Sequence, residues 1–121
     1  MFRLDVGKLL YLMKISRPNI CNSVTELSKH ILMANKIHWD AMHRIIQYVL
    51  ETENYRLVST GSRKEKNVVH GYVDSNYSSD VDTRKSITGY VVLYNEKLVS
   101  WKSKSQQSVT LSSTEAENVA M

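Results

Sequence analysis

The 121-residue chain is 42% hydrophobic and 23% charged, enough for one compact domain with a core and too short for two comfortable ones. It has no charged-then-apolar leader and no apolar run near the ~18 residues of a membrane span, so no membrane association is expected, and the location expected is intracellular, cytoplasmic or nuclear, not secreted. The net charge of +4 permits a polyanionic partner without demanding one, because the cations form no tail or stripe. The single cysteine, Cys21, can form no internal disulfide and lacks the spacing of a metal ligand set, which leaves it as a small buried apolar side chain.

From Leu4 to Met13, Val6, Leu9, Leu10 and Met13 recur at three- and four-residue spacing, the mark of one helix face. Pro18 ends that run and suits the first turn of the next helix, whose stripe is Ile20, Val24, Leu27 and Ile31. Asn35 is an N-cap for a third helix, with Trp39, Met42, Ile45, Ile46, Val49 and Leu50 as its apolar face, fading near Glu51 to Asn54. His30, His38 and His43 lack the i,i+4 spacing of two ligands on one helical face, so they read as surface or internally satisfied side chains.

After Asn54 the period changes from 3.6 to 2. Tyr55–Thr60 is a candidate short strand, followed by the charged loop Gly61–Asn67 and a second strand over Val68–Asp74. Ile87–Tyr94, the turn N-E-K and Leu98–Lys102 make a hairpin, so the sheet is antiparallel. The serine- and glutamine-rich stretch Ser103–Ser113 leads to a last helix, opened by either Ser112 with Glu115 or Thr114 with Glu117 at capping-box spacing.

A carboxylate at a strand's end, Asp74, and another in a helix's first turn, Glu117, can converge although distant in sequence. Such acids suit magnesium, a hard ion that takes oxygen ligands. Two metal ions can drive phosphodiester hydrolysis, but a cluster of carboxylates is required to hold them. Spacing alone favours a structural reading for each acid: Glu115 and Glu117 as helix-start residues favoured by the macrodipole, and Asp74, Asp80 and Asp82 as turn residues. Arg84 and Lys85 are candidate phosphate contacts, though an exposed loop pair is more often simply solvated. Tyr90 and Trp101 offer stacking surfaces or core.

The blocks G-Y-V-D-S-N-Y, D-T-R-K-S-I-T-G-Y-V-V-L and V-S-W-K-S-K-S-Q-Q-S-V-T-L-S-S-T-E-A-E resemble the ribonuclease H domain of copia-type retrotransposon Pol polyproteins. Upstream, V-G-K-L-L-Y-L, S-R-P-N-I and H-W-D-A-M-H-R-I-I-Q-Y-V-L resemble the segment joining the reverse transcriptase of those elements to that domain. The resemblance implies an α+β, RNase H-like fold, here incomplete: a helical connecting segment over 1–54, then a truncated domain over 55–121 with an antiparallel three- to four-stranded sheet and a short C-terminal helix. It further implies that Asp74 and Glu117 are catalytic metal ligands for Mg2+ or Mn2+, that the reaction is hydrolysis of RNA in RNA–DNA hybrids, and that the partners are such a hybrid or other nucleic acid and the rest of a Pol protein.

The family's remaining catalytic aspartates lie beyond the helix that ends at Met121, so weak metal binding and no cleavage by this chain alone are expected. Asn76 stands where the family often has an aspartate and Asn118 where an aromatic is common. No Tyr-x-Asp-Asp-type polymerase motif is present. Truncation would also leave Val68–Asp74 at a sheet edge, a hazard unless covered, and Tyr55–Thr60 or the N-terminal helices are expected to cover it. The alternative function is a domesticated, non-enzymatic module that binds nucleic acid or protein. A nuclease completed by dimerisation is a third.

Overall fold

The computed structural model describes residues 1–59 and 67–121. Its elements are α1 (Phe2–Ile15), a 3-10 turn (Pro18–Ile20), α2 (Cys21–Ser28), α3 (Lys36–Glu51), β1 (Val69–Asn76), β2 (Ile87–Tyr94), β3 (Lys97–Ser105) and α4 (Ser113–Ala120). This is the expected α+β class, helices first and a three-stranded antiparallel sheet after them. The charged loop expected at Gly61–Asn67 lies, but for Asn67, outside the described residues. Two compact units are formed, Met1–Leu57 and Val58–Met121.

In the first unit α1 buries Phe2, Val6, Leu9 and Met13, and Ile20, Cys21, Val24 and Leu27 close on the same core. Both Ser16 and Arg17 donate their amides to Leu12 O, ending α1 just before the proline. Helix α2 stops at Ser28, earlier than its stripe predicts. The amides of Lys29 and His30 turn back to Glu26 O and Leu27 O, the tighter i to i−3 pattern that commonly finishes a helix, and Ile31 is left half-buried in the following turn.

Asn35 caps α3 as expected. Its Oδ1 accepts from His38 N at 3.2 Å while its own N–H donates to His38 Nδ1 at 3.0 Å, so a histidine fills the place usually taken by glutamate or glutamine in a capping box. The His38 ring also stacks on His30 at 4.2 Å. Of the predicted apolar face only Met42 is fully buried, and Leu50 is 66% exposed.

Arg17 is the polar centre of this unit. Although only 5% exposed, it donates to Thr52 O at 2.8 Å, to Thr52 Oγ1 and to Asn19 Oδ1, with the Tyr48 and Tyr55 rings about its guanidinium. A buried cation is tolerable only when its donors are satisfied. Here that satisfaction fastens the Ser16–Ile20 segment to the end of α3.

In the second unit the strands follow chain order, β1-β2-β3. Asn95 and Glu96 join β2 to β3 with φ of 48° and 65°, the left-handed pair that a two-residue type I′ hairpin needs. One extra residue, Val99, breaks the β2–β3 register between Val92/Ser100 and Leu93/Leu98. The β1–β2 register runs unbroken from Val69↔Tyr94 to Asn76↔Ile87.

One expectation fails here. Of the strand expected over Tyr55–Thr60, residues 55–59 form none and are exposed, Thr60 lying outside the described residues; alternating apolar residues specify a strand only where a neighbouring strand pairs with them. Among the described residues strand β1 pairs only with β2, and Val69, Tyr72 and Val73 stand exposed on it.

Candidate functional site

Helix α4 packs against β1, and its N-terminus determines which acid is available. Ser112 Oγ accepts from Glu115 N at 3.2 Å, and Glu115 Oε2 reaches back to Leu111 N at 2.7 Å. Of the two pairs at capping-box spacing, Ser112 with Glu115 is the one at the helix end, the carboxylate taking the amide of Leu111 in place of that of Ser112. Glu115 is thus occupied with the helix end, and Glu117, one half-turn on, is released toward the sheet. There its Oε1 accepts from Ser75 Oγ at 2.7 Å.

Glu117 therefore meets β1 one residue from Asp74, not at Asp74. Successive side chains of a strand leave opposite faces, so Ser75 points to α4 and Asp74 to the other side, where it is exposed. Across the ladder Asp74 faces Gly89, and Gly89 faces Ser103. The surroundings of Asp74 are correspondingly open.

Gln106 secures the helix. Its Nε2 donates at 2.9 Å both to Thr88 Oγ1 on β2 and to Ala116 O on α4, and the Ala116 side chain beside that carbonyl is fully buried. The Oε1 of Gln106 is buried without a partner among the described residues. Sequence reasoning missed both Ser75 and Gln106. A serine next to an aspartate and one glutamine in a polar run carry no periodic signal; only the fold assigns them neighbours.

A two-metal centre requires more carboxylates than this. Among the described residues no group of three or more His, Cys, Asp or Glu side chains is placed to hold a metal ion. Asp74 and Glu117, on opposite faces of one strand, do not fit such a centre as they stand, and no metal-dependent step can be derived from them.

Arg84 and Lys85 lie in a stiffened loop. Asp80, 8% exposed, accepts on Oδ1 from the amides of Asp82 and Thr83, its N–H donates to Lys85 O, and its carbonyl accepts from Arg84 N at 2.8 Å. Arg84 adopts φ of 57° in this turn. Ser86, fully buried, closes the loop by accepting from Ser78 N and sharing a hydrogen bond with Thr110 Oγ1 at 3.0 Å. Asp80 is thus the turn residue its setting suggests, while the Arg84 side chain is exposed and that of Lys85 half-buried. The ladder places Tyr90 with Val73 and Lys102 on the α4 face and Trp101 with Tyr72 and Val91 on the other, so the two rings form no common platform.

No protein-family model matches the chain, and no solved structure gives a significant match. Secreted RxLR effector protein 161 of Plasmopara viticola is 39% identical over 116 residues, which cover 96% of this chain and 80% of that protein. The retrovirus-related Pol polyprotein from transposon TNT 1-94 of Nicotiana tabacum is 38% identical over 95% of this chain. That from transposon RE2 of Arabidopsis thaliana is 35% identical over 96% of it. The chain spans only 8% of the length of each of these two Pol polyproteins. Among the described residues no helix is long and apolar enough to cross a membrane. Similarity to Pol polyproteins runs through the helices, the sheet and α4 alike, and the chain corresponds over nearly its whole length to a segment of the copia-type retrotransposon Pol polyproteins.

Proposed function

We propose that this chain is the connecting segment of a Pol protein followed by a partial RNase H-like domain, intracellular, and unable to cleave nucleic acid by itself. The observation that supports the reading most is that capped α4 delivers Glu117 to Ser75, the residue after Asp74 on β1, while among the described residues no three such side chains gather to hold a metal ion. In the reading proposed, Asp74 and Glu117 join a site for Mg2+ or Mn2+ that hydrolyses the RNA of an RNA–DNA hybrid only once the rest of a Pol protein brings both to one side of β1, since as they stand they leave it on opposite faces. The rest of a Pol protein supplies what is missing, and Arg84 and Lys85 contact phosphates.

The test is incubation of the 121-residue chain with a labelled RNA–DNA hybrid and either metal. No cleavage above the metal-only control is expected. Metal-dependent cleavage that Asp74→Asn abolishes overturns the proposal of inactivity.

A second reading is a non-enzymatic module that binds nucleic acid or protein. It is favoured by the Plasmopara relative, of which a region like this one makes up 80%, so that a protein of this extent exists without the remainder of Pol. Binding to hybrid that weakens steeply with salt, without cleavage, supports this module.

A further inference from the structure

Among the described residues the edge of β1 away from β2 is unpaired, and the strand lacks several of the devices that usually blunt such an edge. It carries no lysine, no proline and no bulge, whereas exposed edges are ordinarily protected by such features. Its polar side chains are instead arranged so that the strand complements itself.

Val68 O accepts from Asn95 N on the β2 side. Backbone groups alternate between the two edges of an antiparallel strand, so Tyr72 and its even-numbered neighbours bond β2. Val69, Gly71, Val73 and Ser75 then direct their N–H and C=O groups to the free edge. Two such edges can meet antiparallel about a two-fold axis at Tyr72. In that register Gly71 exchanges hydrogen bonds with Val73, and Val69 with Ser75. The facing side chains are Tyr72 with Tyr72 and, on each side of it, His70 with Asp74.

His70, Tyr72 and Asp74 share one face and all are exposed. Within one copy His70 and Asp74 are four residues apart, about 13 Å along a strand, and cannot pair. Across the axis they fall in non-hydrogen-bonded positions, where side chains come closest.

We propose that β1 is a self-association edge, pairing antiparallel with β1 of a second copy of this chain and centred on Tyr72, with two reciprocal His70–Asp74 contacts. The inference does not rest on the RNase H-like reading. A two-fold arrangement is the commonest form of homo-oligomer, because one patch serves both partners. An interface of this size belongs to the weak, reversible class.

Sedimentation velocity on the whole chain, from about 1 µM to about 1 mM, should show a monomer–dimer equilibrium. Tyr72→Lys, which opposes two ammonium groups on the axis, should leave only monomer. His70→Asp should weaken the dimer by roughly tenfold, and the exchange His70→Asp with Asp74→His should restore it to within about threefold, since facing pairs of like and opposite charge differ by these amounts. In the unmodified chain, hydrogen exchange at the amides of Gly71 and Val73 should slow as concentration rises, while the amide of Tyr72 changes little. A chain that is monomeric throughout, a dimer indifferent to Tyr72→Lys or unrestored by the exchange, or edge amides that exchange at a rate independent of concentration each overturns the proposal.

Discussion

The helical and the sheet units solve the problem of an interior in opposite ways. Of the ten buried hydrophobic residues among those described, nine lie in Met1–Leu57 and one, Ala116, in Val58–Met121. The buried side chains of the second unit are otherwise Asp80, Ser86, Gln106 and Thr110, each held by hydrogen bonds. Apolar burial is non-directional and yields stability in proportion to area. A polar interior gives a smaller net return per contact but fixes geometry, and it fails when one partner is lost. The sheet unit is therefore specified more by direction than by bulk, which accords with the half-buried character of nearly all of β2.

Substitutions can break or sharpen this contrast. The largest effect is expected from Met42→Ala, which removes a side chain 1% exposed and should destabilise the helical unit by about 2–4 kcal/mol, read by urea denaturation with helical circular dichroism. Gln106→Ala should cost about 1–3 kcal/mol in the sheet unit, because Thr88 Oγ1 and Ala116 O lose their donor; hydrogen exchange at the amides of α4 would report it. If Gln106→Ala proved more damaging than Met42→Ala, the contrast between a bulk-held and a direction-held interior would be lost. The smallest effect belongs to Ser112→Ala, about 1 kcal/mol for a lost N-cap, seen as fraying of the first turn of α4 in amide exchange, with nothing expected at α1 to α3.

Reading from sequence succeeded where one periodic face or one capping residue decides the outcome. The stripe of α1, the proline-led entry to α2, the Asn35 cap and the N-E-K turn are all local signals, and all four are found. It failed where the deciding partner is distant. Residues 55–59 alternate like a strand but have no strand to pair with, and Ile31 continues a helical period past the point where the backbone has already turned. The candidate site was legible only in its acids. That Ser75, not Asp74, receives Glu117 follows from the strand's alternation and from the capping by Ser112 together, and neither can be weighed until both elements have been placed.

Asn95 bears on how the sheet unit assembles. It occupies the first position of the β2–β3 turn, yet its N–H donates to Val68 O and its Oδ1 accepts from Val68 N at 3.0 Å. The same side chain that closes one hairpin thus grips the chain at the entrance to β1. Because the strands are neighbours in sequence order, contacts form over short loops, the circumstance that makes folding fast. This topology predicts that the hairpin at Asn95 forms first and that β1 docks against it, an order that pulsed hydrogen exchange during refolding would check by earlier protection of β2 and β3 than of β1. A single residue thereby ties the β2–β3 turn to the start of β1.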